Sequence, residues 1–460
     1  MMKNKTAYVC NDCGADFSKW QGQCSECGAW NTLSEVRLSS GSKQARVQAN
    51  FGGYAGNAGS DAVKTLNEIA LEDMPRIPSG TQELDRVLGG GLVPGSAVLI
   101  GGHPGAGKST LLLQILCYLA KQVSCLYVTG EESLQQVAMR AKRLKLPTDQ
   151  LQLLSETSVE TICTTAEKLK PKVLVVDSIQ VMNLADISSA PGSVSQVRES
   201  AALLTRFAKQ THTVLILVGH VTKDGSLAGP KVLEHIIDCS LMLESTDDSR
   251  FRTLRSQKNR FGAVNELGVF AMTEEGLKEV KNPSAIFLSR AEEIGAGSVV
   301  MVVWEGTRPL LVEIQALVDE SHINNPRRVA VGLDHNRLAM LLAVLHRHGG
   351  LMMGDQDVFV NVVGGVKVQE TSADLALLLA TISSFRSRPL PKDIVVFGEV
   401  GLSGEIRPVP FGQERIKEAV KHGFKKAIVP AGNAPREKIP GMEVIAVKKL
   451  SDAIAAIESM

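Results

Sequence analysis

Gly102-His103-Pro104-Gly105-Ala106-Gly107-Lys108-Ser109, followed directly by Thr110, has the spacing of a phosphate-binding loop. Glycines at these intervals let backbone N–H groups wrap a polyphosphate, Lys108 reach its β and γ phosphates, and the Ser109 hydroxyl ligate Mg²⁺. The chemistry this predicts is ATP binding and hydrolysis, with Gly102 through Thr110 as the cradle. Val173-Leu174-Val175-Val176-Asp177 is an apolar run ending in a carboxylate, which places Asp177 to hold the phosphate-bound Mg²⁺. Leu126-Tyr127-Val128-Thr129-Gly130 leads in the same way into Glu131 and Glu132. Glu131 is the expected base that orients the attacking water, with Glu132 as its neighbour. His220 follows the apolar run 214–219 and reads either as a γ-phosphate sensor or as an ordinary strand-end histidine.

A second chemistry sits at the start of the chain. Cys10-Asn11-Asp12-Cys13-Gly14 and Cys24-Ser25-Glu26-Cys27-Gly28 are two CxxCG knuckles, separated by ten residues. Paired thiolates at this spacing suit tetrahedral Zn²⁺, and the glycine after each pair lets the backbone turn toward the sulfurs. Cys10, Cys13, Cys24 and Cys27 are therefore the expected ligands of a structural zinc, with Trp20 and Trp30 expected to pack around it. The other four cysteines, Cys117, Cys125, Cys163 and Cys239, stand singly in apolar stretches and read as core.

These groups need a scaffold, and the flanking sequence predicts one. Ala97–Ile100 reads as a buried strand before the loop, and Leu112, Ile115, Leu116 and Leu119 recur after it at helical spacing. Strand, loop and helix in that order aim the helix N-terminus at the bound phosphates. Apolar runs at 123–128, 173–176 and 214–219 alternate with amphipathic stretches, which predicts a mainly parallel sheet covered on both faces. In a parallel sheet the carboxyl ends of the strands share one crevice, so Asp177, Glu131 and His220 should meet the loop there.

With 460 residues, about three units are expected from length. Apolar residues make up 44% and charged residues 22%, and no apolar run approaches the length of a membrane span. The first six residues lead into Tyr8-Val9-Cys10 without an apolar signal core, which predicts a cytoplasmic protein. A formal net charge of +1 means that any nucleic-acid binding must come from local basic patches. The composition of 35–60 predicts a flexible linker, and the pattern breaks again near Lys281-Asn282-Pro283-Ser284.

Pro78-Ser79-Gly80 and the run Leu84-Asp85-Arg86-Val87-Leu88-Gly89-Gly90-Gly91-Leu92 resemble the RecA-type ATPases, and Lys258-Asn259-Arg260-Phe261-Gly262 matches the signature pentapeptide of the RadA family of bacterial DNA-repair proteins. The resemblance covers essentially the whole chain. It implies an α/β protein with a RecA-like P-loop ATPase core, an N-terminal zinc ribbon and a C-terminal α+β Lon-protease-like domain. On this chain the parts are a four-cysteine zinc finger at 1–34, the linker at 35–60, the ATPase domain at 61–282 and the Lon-like domain at 283–460. It further implies ATP, Mg²⁺ and Zn²⁺ as cofactors and a DNA-dependent, ring-forming motor of hexamer type that promotes branch migration. Single-stranded and branched DNA would be its partners, with a recombinase such as RecA as a candidate protein partner.

The pentapeptide has a physical role to match. Lys258 and Arg260 are two residues apart, and one is expected to reach a phosphate while the other contacts something else. In RecA-like rings the nucleotide lies between subunits, and a cation supplied in trans stabilises transition-state charge. DNA-facing loops are expected at 182–198 and 223–231, with Arg198, Lys223 and Lys231 as contacts. The basic cluster Arg140, Lys142, Arg143 and Lys145 reads as an exposed helix face.

In the last part, the resemblance to the Lon proteolytic domain puts Ser372 at the nucleophile position, but the lysine position falls on Gln413, an amide that cannot take a proton. Lys417 and Arg415 are near in sequence and are expected to be turned away along a helix; arginine in any case keeps its proton. The domain is expected to be proteolytically inactive and to serve assembly, with Arg327, Arg328 or Arg407 touching DNA. Two rival functions remain open: an ATP-dependent Lon-like protease or unfoldase, and an ATP-switched DNA-binding module that does not translocate.

Overall fold

The computed structural model describes residues 5–10, 13–38, 75–220, 233–245, 250–285, 287–288, 295–322 and 325–460. The chain divides into two compact units, Met1–Val280 and Lys281–Met460. None of the helices among the described residues is long and apolar enough to cross a membrane.

The first unit begins with a three-stranded sheet in which β1 (Lys5–Cys10) pairs antiparallel with both β2 (Asp16–Phe17) and β3 (Leu33–Leu38). Residues 35–38, expected to open the linker, instead complete the pairing with β1 from Tyr8↔Glu35 to Lys5↔Leu38. Most of the expected linker, 39–60, lies outside the described residues.

The α/β core follows, with α1 (Gln82–Leu88), β4 (Ala97–Gly102), α2 (Lys108–Leu119), β5 (Cys125–Thr129), α3 (Leu134–Arg143), β6 (Gln152–Ser155), α4 (Val159–Leu169), β7 (Val173–Asp177), α5 (Val194–Thr211) and β8 (Val214–Val218). It ends in β9 (Cys239–Ser245), β10 (Phe251–Asn259), β11 (Leu267–Thr273) and β12 (Gly276–Glu279). These strands form one sheet in the order β12-β11-β10-β9-β4-β8-β7-β5-β6. The six from β9 to β6 are parallel, and β10, β11 and β12 extend the sheet antiparallel.

β4, β5, β7 and β8 are buried along their whole length, as expected of strands covered on both faces. Their alternate residues feed two apolar clusters. Val98, Ile100, Tyr127, Val175 and Ile216 pack on α2, and Leu99, Leu126, Val128, Leu174 and Leu217 pack on α4 and α5. Helix α2 commits Leu111, Leu112, Leu113, Ile115, Leu116 and Leu119 to the core. At about 1.5–3 kcal/mol for each buried side chain, this packing holds the loop before α2 firmly against the sheet.

The second unit is a seven-stranded mixed sheet, ordered β15-β16-β14-β13-β17-β20-β21. It contains β13 (Ser298–Glu305), β14 (Arg308–Glu320), β15 (Arg328–Val331), α6 (His335–Gly349), β16 (Gln356–Val362), α7 (Asp374–Phe385), β17 (Ile394–Val396), the short pair β18 (Glu399–Val400) and β19 (Ile406–Arg407), α8 (Gly412–Lys421), β20 (Lys426–Pro430), β21 (Glu443–Val447) and α9 (Leu450–Glu458). Helix α7 is buried from Asp374 to Ser383 and lies against β13 and β14.

Candidate functional site

Strand β4 sits inside the sheet, and the chain leaving its carboxyl end forms the loop 102–109. His103, Pro104 and Gly105 make the exposed rim, while Ala106 and Lys108 are buried. Gly107 caps α2 with φ +105°, and a Cβ there would meet Met272 Cε at 2.9 Å and Leu277 Cδ1 at 3.2 Å. The backbone conformation favours glycine, and any side chain would also have to displace the ends of Met272 and Leu277. The Lys108 ammonium donates to the Gly102 carbonyl (2.7 Å) and the His103 carbonyl (3.0 Å). Burial holds Lys108 below the usual lysine range, while the charges of Asp177 and Glu131 act in the opposite direction.

Asp177 ends β7 at the same edge of the sheet and is 8% exposed. Its Oδ2 accepts a 2.5 Å hydrogen bond from the Tyr127 hydroxyl, and burial together with the Asp177 charge pushes that phenol far above the ordinary tyrosine range. The Asp177–Ser178 peptide is cis. The two glutamates after β5 part company. Glu132 forms an ion pair with Arg140, whereas Glu131 accepts from the Ser178 hydroxyl and meets His220 Nε2 at 3.1 Å. The His220 and Ser178 hydrogen bonds keep the Glu131 carboxyl below the usual range against the opposing effect of burial. The structure thus gathers Lys108, Glu131, Asp177 and His220 around one crevice. Its donors suit a triphosphate, and Asp177 with Ser109 could hold the accompanying Mg²⁺.

Lys258 and Arg260 lie elsewhere. β10 runs antiparallel to β9, and Asn259 pairs with Cys239 at the amino end of that strand, whereas Gly102 pairs with Leu243 near its carboxyl end. The pentapeptide is therefore at the edge of the sheet opposite the loop of its own chain. The expected division of partners does not occur, since residues two apart on an extended backbone share a face. Both cations face segment 234–238. Lys258 Nζ donates to the Ile237 carbonyl (2.9 Å) and to that of Glu234, and burial and the neighbouring Arg260 hold it below the usual lysine range. Arg260 reaches Asp238 at 3.2 Å, a buried carboxylate that also accepts from Lys209 Nζ (3.1 Å) and the Ala97 amide (3.0 Å). Asn259 Nδ2 donates to the Val87 carbonyl at 3.1 Å. Gly262 packs so closely on α1 that a Cβ there would lie 2.7 Å from Gly89 Cα.

The four sulfurs of Cys10, Cys13, Cys24 and Cys27 all lie within 4.8 Å of one another, with Cys10–Cys27 at 3.7 Å and Cys13–Cys24 at 3.5 Å. Tetrahedral Zn²⁺ with bonds of about 2.3 Å requires sulfurs somewhat under 4 Å apart, so the donor set fits the ion. The two knuckles repeat one backbone design: Gly14 donates to the Cys10 carbonyl (2.9 Å) and Gly28 to that of Cys24 (2.8 Å), with φ of +76° and +73°. Trp20 and Trp30 do not pack around the sulfurs as expected. They are 58% and 69% exposed, because Tyr8, Ala15, Phe17 and Leu33 supply the apolar contacts.

Two further expectations need correction. Arg140 does not belong to an exposed basic face, since it turns inward to Glu132. Arg198 is on helix α5 rather than a loop, 3.6 Å from Glu199; Lys223 and Lys231 lie outside the described residues. Of the arginines expected to touch DNA, Arg328 donates to the carbonyls of Met353 and Gln356, and Arg407, itself exposed, pairs with Glu405 and Glu399.

In the second unit Ser372 is 2% exposed, at the entrance to α7, and its hydroxyl donates to Glu370 at 2.6 Å. Gln413 is exposed on α8. Arg415, expected to be turned away, is the residue that meets Ser372. Its guanidinium is 1% exposed, forms two 2.8 Å bonds to Glu370, donates to Ser372 Oγ at 3.2 Å, and reaches the Val302 (2.6 Å) and Pro410 (3.0 Å) carbonyls. Helix α8 begins after Phe411, which has φ +57° and stacks on Trp304 at 4.3 Å, and this start sets position 415 rather than 413 on the inner face. A guanidinium cannot act as a base, so Arg415 does not replace the lysine that the Lon-like reading requires, and the Ser372 hydroxyl bonds instead to the Glu370 carboxylate.

Comparison with known proteins agrees with this division. The family described as "Rubredoxin metal binding domain" matches residues 8–35, "AAA domain" matches 64–226, and "Subunit ChlI of Mg-chelatase" matches 326–433. The chain is 72% identical to "DNA repair protein RadA" of Haemophilus influenzae and 70% identical to that of Escherichia coli, over 99% of both chains in each case. It is 46% identical to the protein of the same name from Bacillus subtilis, again over 99% of both. With a metal-binding ribbon, a RecA-like ATPase core and a Lon-like unit, and with these relatives aligned over nearly its whole length, the chain belongs to the RadA family of DNA repair proteins.

Proposed function

We propose that the protein is a DNA-dependent ATPase of recombinational repair, in which copies of the chain assemble into a ring and hydrolysis moves that ring along single-stranded or branched DNA. Lys108 and the loop amides bind the β and γ phosphates, Glu131 orients the attacking water, and Asp177 and Ser109 hold Mg²⁺. The ion, when bound, supplies neutralising charge on the phosphates. The observation that carries the reading is the placement of the pentapeptide. Lys258 and Arg260 sit across the sheet from the loop of their own chain, about 20 Å away along β10 at 3.3 Å per residue. A role for them in hydrolysis is thus a role at another copy's nucleotide, and such an arrangement couples turnover to movement between subunits.

The test is ATPase activity with and without single-stranded DNA across a salt series, combined with the oligomeric state in Mg²⁺ and ATP. Stimulation that fades steeply with salt is expected, because phosphate contacts release counterions. Lys258→Ala should retain nucleotide binding and lose strand movement. ATP-dependent DNA binding without any strand movement would favour the switched-module reading instead.

A further inference from the structure

Strand β10 touches the phosphate loop at the end opposite its pentapeptide. Arg252 Nε donates to the Ala106 carbonyl at 3.2 Å, and its NH1 donates to the Phe251 carbonyl at 2.9 Å. The same antiparallel extension supplies Met272 and Leu277 beneath Gly107, and the Leu277 amide donates to Gln114 of α2 at 2.8 Å. The outer wall of the loop is therefore built by β10, β11 and β12.

We propose that Arg252 is a positioning residue for the nucleotide, acting through the peptide between Ala106 and Gly107. A peptide unit is planar and trans, so its carbonyl and N–H point in opposite directions. Fixing the Ala106 carbonyl outward, toward β10, aims the Gly107 N–H inward, to where a phosphate lies. The neighbouring peptides are held by bonds from the Ala106 amide to the His103 carbonyl (3.1 Å) and from the Leu111 amide to the Gly107 carbonyl (2.8 Å), but glycine gives the peptide between them little steric preference. The charge-assisted bond from Arg252 removes this freedom before any ligand arrives. Arg252 itself need not touch the nucleotide.

The inference rests on the loop being a nucleotide site, so the test separates the two claims. A fluorescent ATP analogue is titrated into full-length wild type, Arg252→Ala and Arg252→Lys, and steady-state ATPase is measured in parallel. Arg252→Ala is expected to raise both the dissociation constant and the KM about tenfold, the range of one charge-assisted hydrogen bond, with kcat changed less than about threefold. Arg252→Lys, which keeps a donor, should recover part of the affinity. Unchanged affinity and KM in Arg252→Ala would overturn the proposal. A fall in kcat at constant KM would overturn it too, since that signals direct contact with the reacting groups. If Arg252→Ala does not fold, Arg252→Met retains the packing volume and takes its place in the same comparison. Wild type that binds the analogue but hydrolyses no ATP sinks the proposed function and leaves this inference to be decided by binding alone.

Discussion

Two sites in this chain place a buried cation beside a serine, and they behave as opposites. In the first unit Lys108 precedes Ser109, and its described hydrogen bonds go to two loop carbonyls, Gly102 and His103. Its ammonium can exchange those neutral acceptors for phosphate oxygens, a gain in charge pairing. In the second unit Arg415 faces Ser372 with five hydrogen bonds, two of them to the Glu370 carboxylate. All three guanidinium nitrogens donate, NH1 to three acceptors at once, and the Glu370 carboxylate already neutralises the charge. The first site is poised for a ligand, and the second is a closed structural knot. Burial of a cation therefore says little about chemistry until its acceptors are counted.

Mutations at corresponding positions can break or sharpen this contrast. The largest effect is expected for Lys108→Ala, with ATP turnover falling about a thousandfold through loss of phosphate charge stabilisation, and the unfolding midpoint little changed. Turnover at the wild-type rate would remove the nucleotide site as described. Arg415→Ala should do the reverse, destabilising the second unit by about 3 kcal/mol as Glu370 loses its partner. This is the lower end for a buried pair, because the Glu370 side chain is 27% exposed. Denaturant unfolding measures it, and a change under 1 kcal/mol would mean that water satisfies the carboxylate in place of the guanidinium. Next is Glu131→Gln, with kcat reduced about a hundredfold, as for a lost general base, and nucleotide affinity retained; Glu132→Gln, which disturbs only the Arg140 pair, is the control. The smallest effect is expected for Ser372→Ala, about 1 kcal/mol for a hydrogen bond, with no loss of ATPase. Wild-type Ser372 should also resist fluorophosphonate labelling. Degradation of casein that disappears in Ser372→Ala would show the knot to be a working protease after all.

Local signals were legible in the sequence where function demands short-range spacing. The loop 102–109, the buried strands and the two CxxCG knuckles needed only contiguous residues, since backbone N–H groups, glycine φ angles and paired thiolates act over four to eight positions. Asp177 and Glu131 were legible one step further out, because a parallel sheet brings strand ends to a common edge whatever the loops between them do. Patterning could not place Trp20 and Trp30, since a sulfur-rich core leaves little room to bury indoles. Glu131 was favoured over Glu132 from the sequence, but the partners that distinguish them come only with folding, His220 and Ser178 for one and Arg140 for the other.

The sequence by itself determined the kind of each site: a triphosphate cradle, a four-thiolate centre, and a serine lacking the lysine it would need. Tertiary structure alone decided which groups face them. Arg415 took the place assigned to Gln413 because the first turn of α8 sets which residues point inward, and a shift of two positions on a helix rotates a side chain by roughly 200°. Arg252 reached Ala106 across 146 positions only because β10 was laid beside β9. Spacing along a chain fixes what neighbours can do, whereas long-range pairing fixes where each cation finds its acceptors.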